Sequence, residues 1–186
     1  MVPLSALWLP ILLSAVLVFV SSTLIHMVLK YHASDYRVLP NEAAFRAAFR
    51  GVDAAPAQYI IPHISDMKQM GSPEHLAKLA EGPVAVLNLR PNGVVGMGKS
   101  LGQWFVFSLV VSAVVALIAS TVLPVGTRYM MVFHTVGLVA FLGYSAGQLP
   151  AAIWMGKPWS IAAKEVLDGL IYGLLTAGTF GWLWPR

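Results

Sequence analysis

The chain has no cysteine among its 186 residues, which excludes disulfide frameworks, thiolate metal sites and cysteine nucleophiles. Charge is scarce too. Asp, Glu, Lys and Arg make up 11% of the residues while 58% are hydrophobic, and the mean hydropathy is +0.72. Soluble domains are roughly half apolar and about a quarter charged, so a water-soluble globule is excluded. A His-Glu-x-x-His metal helix is also missing, and His63 and His75 have no ligand spacing. No catalytic residue, metal ligand or cofactor is assigned from the sequence, and an enzyme is not the expected reading.

What the chain does have is four long apolar runs. The first, 4–29, contains no Asp, Glu, Lys or Arg and matches the roughly 20 residues that a 30 Å hydrocarbon layer requires. Further spans are expected over 101–125, 129–153 and 164–184, with Leu149-Pro150 kinking or ending the third. The first run starts without a basic residue and is long for a signal peptide, so it is expected to remain as a span rather than be cleaved. The predicted fold class is an all-α membrane protein, a four-transmembrane-helix bundle with a small α+β cytoplasmic segment, 30–100, between helices 1 and 2.

Basic residues orient this layout. Ten Lys and Arg side chains fall between spans one and two, between three and four, or at the first residue of span four, whereas only Arg128 and Arg186 fall on the other side. Positive charge stays on the cytoplasmic side, which predicts a multi-pass protein of the inner (plasma) membrane with both termini outward. Carboxylates interrupt the basic residues of 30–100, so no nucleic-acid partner is expected.

Within that segment, 41–50 reads as an amphipathic helix. Phe45 and Phe49 share one face at i,i+4, while Arg46 and Arg50 are placed to reach lipid phosphates. A second helix is expected over 73–81, with Ser72 as N-cap, Pro73 at the first helical position and Gly82 as the stop. Short β-rich runs about Pro91-Asn92-Gly93 predict a hairpin over 84–97. Residues 93–100 match the phosphate-binding pattern Gly-x-x-x-x-Gly-Lys-Ser at every fixed position. That pattern needs an α/β nucleotide domain and a second metal-holding acid. Here the following helix is apolar and no such strand follows, so Lys99 is read as a membrane anchor and a nucleotide partner is not expected.

Polar residues inside spans are costly and mark function by default. His26, Gln103, Tyr144, Gln148 and Asp168 all fall near the cytoplasmic ends of their spans, predicting a polar pocket with Asp168 as anion and His26 as titratable partner. The rival expectation pairs Lys164 with Asp168 along one helix. His134 lies near the opposite end, so bis-histidine haem ligation with His26 is disfavoured.

Small residues supply the clearest packing pattern. Gly169, Gly173, Ala177 and Gly181 recur every four residues, Gly143 and Gly147 form a second stripe, and Ser112, Ala116 and Ser120 a third. Such stripes let helices approach closely in lipid. Gly156-Lys157-Pro158-Trp159, Asp168-Gly169, Gly173 and the closing Trp182-Leu183-Trp184-Pro185 resemble a family of small bacterial four-helix membrane proteins with no assigned reaction. The resemblance covers about the last 60 residues and the general layout, and it implies the architecture alone. The leading expectation is a non-catalytic oligomeric or accessory subunit of a membrane complex, with the bilayer and other copies or subunits as partners. The alternative is a small transporter, channel or ligand-binding protein using the polar inner-leaflet level.

Overall fold

The computed structural model describes residues 2–50, 56–94 and 96–186. The chain divides into two compact units, Met1–Tyr36 together with Gly96–Arg186, and Arg37–Val95. The first unit is helical. Helix α1 (Trp8–Thr23) is preceded by a 3₁₀ turn, Leu4–Leu7, and continued by a π-helical turn, Leu24–Leu29. Its other helices are α4 (Met97–Val122), α5 (Tyr129–Ser145), α6 (Gln148–Met155) and α7 (Trp159–Leu183). Four continuous stretches, Leu4–Leu29, Met97–Val122, Tyr129–Met155 and Trp159–Leu183, are long and apolar enough to cross a membrane.

Neighbouring helices run antiparallel. Ser14 and Ser112 hydrogen-bond across α1 and α4 at 3.0 Å, and Trp104 Nε1 donates to Ser22 Oγ at 2.8 Å, so residue numbers fall on one helix as they rise on the other. Helices α5 and α7 meet through the glycine stripe. A Cβ on Gly173 would lie 3.1 Å from the Phe141 backbone nitrogen, one on Gly137 3.1 Å from Ala177 Cβ, and one on Gly181 2.7 Å from the Tyr129 ring. Gly143 faces Val111 of α4 at 3.3 Å in the same sense, and Gly169 packs on Ser145. The core between the helices is correspondingly slim, built from Ala15, Val18, Val115, Ala116, Val132, Val136, Ala140, Ala177 and Phe180.

Several expected boundaries move for local reasons. Span four begins at Trp159 rather than 164, because Pro158 occupies the N-cap and its fixed φ suits a helix entry. The third stretch breaks at Ala146–Gly147, and Pro150 falls in the first turn of α6, where a missing N–H leaves no helical bond unmade. Helix α4 starts at Met97, so Lys99 and Ser100 lie in its first turn.

The second unit holds helix α2 (Glu42–Arg50), strand β1 (Gln58–Ile61), helix α3 (Pro73–Glu81) and strand β2 (Ala85–Asn88). Ser72 Oγ accepts from the His75 N–H at 3.2 Å, and Gly82 ends α3 at φ +67°. The strand within 84–97 pairs with β1, not across Pro91-Asn92-Gly93: Gln58 faces Asn88 and Ile61 faces Ala85 in antiparallel register. This corrects the expected hairpin, of which Val95 lies outside the described residues. Val94 is fully exposed and offers no apolar face, whereas β1 supplies Tyr59, Ile60 and Ile61. On α2 the Phe45 and Phe49 rings lie 4.7 Å apart and Arg46 pairs with Glu42 at 3.8 Å. Arg50 closes the helix.

Candidate functional site

The site is built where α1 ends. Its last turn is π-helical, a form frequent at functional sites, and it carries His26. The helix then stops at Lys30, whose left-handed backbone (φ 55°, ψ 14°) turns the chain back on itself. The next five residues, Tyr31–Asp35, form a 3₁₀ turn that lies against α7. That reversal sets Tyr31, His32 and Asp35 beside residues more than 120 positions away.

Asp168 of α7 is the centre. It is 4% exposed, and both carboxylate oxygens have partners from the reversed turn. Tyr31 Oη donates to Oδ1, and His32 Nε2 lies 2.8 Å from Oδ2. His26 Nε2 approaches the same Oδ2 to 3.8 Å. The His26 and His32 rings stack in parallel, 4.6 Å between centroids.

Outer hydrogen bonds fix the orientation of each ring. His26 Nδ1 sits 2.9 Å from the Ser22 carbonyl, which can only accept, so Nδ1 carries a hydrogen and Nε2 is the ring nitrogen nearest Asp168. His32 Nδ1 lies 2.6 Å from Asp35 Oδ2. Lys164 Nζ donates to Asp35 Oδ1 at 2.5 Å, to Ser34 Oγ at 2.9 Å and to the Tyr31 carbonyl at 2.8 Å. The Lys164 bond, aided by His32 and outweighing burial, holds Asp35 below the usual carboxylate range. Lysine 164 thus staples the turn to α7 and does not make the expected i,i+4 pair with Asp168. Beside the cluster is a cavity of about 270 Å³ lined by His26, His32, Asp35, Tyr36, Lys157, Ile161 and Glu165. On its rim Lys157 bonds both Glu165 and, at 3.1 Å, Gln148.

Of the five residues expected in a polar pocket, the structure joins His26 and Asp168. Gln148 is tied to the rim through Lys157. Gln103 is exposed on α4 and takes no part in the cluster. Tyr144 is buried against Trp104, Phe107 and Tyr172 instead. The sequence reading missed the engaged roles of Tyr31, His32, Asp35 and Lys164. Their only signal was density, with Tyr31, His32 and Asp35 within six residues of the end of span one and Lys164 at the start of span four.

The phosphate-loop match loses its chemistry in this fold, and a nucleophile-elbow spacing that overlaps it has none either. Among the described residues the sheet is two-stranded and antiparallel, so the 93–100 match lacks the parallel α/β setting that a phosphate loop requires. Gly98-Lys99-Ser100-Leu101-Gly102 also matches the Gly-x-Ser-x-Gly pattern, which in hydrolases places serine on a tight strand-to-helix turn. Here the five residues are continuous helix in α4, and Ser100 has no such elbow.

No protein-family model, curated protein or solved structure matches this chain.

Proposed function

We propose that this chain crosses the inner (plasma) membrane four times, with both termini outward and residues 30–100 cytoplasmic, and that it works as a ligand-binding membrane protein through the Asp168 cluster. The observation carrying this reading is the buried carboxylate of Asp168 on a largely apolar helix, engaged by three side chains from α1 and its reversed turn beside a cavity. An ionisable group inside an apolar span is a functional hypothesis by default, and Asp35, Lys164 and the Ser22 carbonyl orient the groups around it.

The apolar surface supports the membrane address. Only 28–44% of the most apolar 18-residue window in each long helix is buried within the chain. Leu12, Val16, Val20, Val110, Val114, Leu138, Leu142 and Leu174 point outward, the inverse of a soluble bundle. Helix α2 fits a position at the lipid surface, with Phe45 and Phe49 entering the interface and Arg46 and Arg50 at the phosphates.

The accessory-subunit reading drew on the small-residue stripes. Gly143, Gly169, Gly173, Ala177 and Gly181 all meet other helices of the same chain, and only Gly147 has open space at its Cβ. The stripes therefore supply no argument for a second copy, and the ligand-binding reading is preferred.

Because the native chain lacks cysteine, single cysteines report topology without background. Gln69→Cys is expected to react with a membrane-impermeant maleimide only from the cytoplasmic face, and Val125→Cys only from the outer face. The reverse pattern, or both reporters on one side, would overturn the topology.

A further inference from the structure

We propose that His26, His32 and Asp168 bind one divalent transition-metal ion of the zinc or ferrous class, and that this ion is the ligand of the site described above, so the inference rests on that reading. The argument is in the donor atoms. Each of the three residues has one polar atom occupied by an outer partner: His26 Nδ1 by the Ser22 carbonyl, His32 Nδ1 by Asp35, and Asp168 Oδ1 by Tyr31. The three remaining atoms, two Nε2 and Oδ2, lie within 4.8 Å of one another, with His32 Nε2 2.8 Å and His26 Nε2 3.8 Å from Oδ2. A cation among them gives all three atoms one shared partner, where the His32–Asp168 hydrogen bond joins only two.

The outer partners are those that metal-binding histidines use. A ligating imidazole characteristically donates its other N–H to a carboxylate or a backbone carbonyl, fixing the tautomer and raising basicity. His32 has the carboxylate and His26 the carbonyl. A hydrogen-bonded cluster without a metal accounts less well for His26, whose Nε2 is 3.8 Å from Asp168, outside hydrogen-bond range.

The donor set selects the ion. Two imidazoles and one carboxylate suit zinc or non-haem iron, whereas magnesium and calcium favour all-oxygen sites and copper(I) favours sulfur. A tetrahedral ion with bonds of about 2.0–2.1 Å holds its ligands roughly 3.3 Å apart, so binding must draw His26 inward. Its side chain is 50% exposed, and rotation off the stack with His32 brings its lone pair toward Oδ2. Three protein ligands leave a coordination position open, and the adjoining cavity, with Lys157 and Glu165 at its rim, gives that position access to water or a small anion.

The test uses the full chain in mild detergent, stripped with a chelator and titrated with Zn²⁺, with Co²⁺ as a spectroscopic substitute. One ion per chain is expected, with Co²⁺ giving visible bands of a nitrogen- and oxygen-ligated site. His26→Ala is the decisive variant, because its side chain is half exposed and its loss should leave the far-UV spectrum and thermal midpoint near wild type. It should weaken Zn²⁺ binding at least about 100-fold, whereas Asp35→Asn, acting through His32, should weaken it about 10–100-fold and His75→Ala should leave it unchanged. No saturable binding by the wild type, or equal affinity in His26→Ala, would overturn the metal. Cytoplasmic access to a cysteine placed at Ile161 is read without any metal, so failure of the ion alone and failure of the site as a whole give different results.

Discussion

Asp168→Ala is expected to destabilise the helical unit by about 3–5 kcal/mol, since two buried polar groups lose their partner at about 1–3 kcal/mol each. The size follows from what is left behind. Asp168 is 4% exposed, so solvent screening gives little relief, and its removal strands the Tyr31 hydroxyl and His32 Nε2 at once. With both bonds gone, the Tyr31–Asp35 turn is held to α7 only through Lys164. For a chain of this length the loss corresponds to a thermal midpoint lowered by about 6–20 °C, read by tryptophan fluorescence in detergent. Asp168→Asn keeps the volume and an acceptor for Tyr31, and its midpoint should fall between the two. A midpoint for Asp168→Ala within about 2 °C of wild type would show that the cluster contributes nothing to holding the turn.

Gly173→Leu is expected to have a comparable effect by a different physical route. A Cβ at this position would sit 3.1–3.2 Å from the nitrogen, Cα and Cβ of Phe141, and backbone atoms cannot rotate aside as a side chain can. Helices α5 and α7 would have to separate along the whole stripe that includes Gly137–Ala177 and Gly181–Tyr129. Overpacking of this kind costs typically 1–3 kcal/mol for modest additions, and four carbons against backbone place Gly173→Leu at about 3 kcal/mol or more. Gly178 on the same helix is the internal comparison. Its nearest neighbour is the Tyr129 hydroxyl at 3.8 Å, an ordinary contact, so Gly178→Ala should gain about 0.5–1 kcal/mol from reduced backbone freedom. Equal midpoints for the two variants would mean that close helix approach is not what the stripe provides.

The four long helices were legible because nothing competes with an apolar run of that length, and the amphipathic faces of α2 and the Ser72–Pro73 cap of α3 are written in local chemistry. The partner of β2 was not legible. A turn-forming Pro-Asn-Gly pointed to the next residues in sequence, but pairing went to Tyr59–Ile61, 24–28 residues upstream, where more apolar surface was on offer. The site shows the same division. Asp168 and His26 stood out as polar groups in apolar helices. Tyr31, His32 and Asp35 did not, since a helix continued straight past Lys30 would have carried them away from α7. Whether Lys30 adopts a left-handed conformation is decided by the tertiary bonds that follow it, with Lys164 reaching Tyr31, Ser34 and Asp35, and a lysine in that region has no sequence signature of its own.

The most direct measurement of the central claim is maleimide labelling of Ile161→Cys in sealed vesicles of both orientations. Ile161 lines the cavity beside His26 and His32 on α7, within a stretch long and apolar enough to cross a membrane. If the cluster is a ligand site opening to the cytoplasm, an impermeant reagent applied to that face should label this cysteine at a rate within about tenfold of Gln69→Cys, and reagent at the outer face should not label it at all. Labelling from the outer face, or no labelling from either, would contradict a cytoplasm-facing binding site at Asp168.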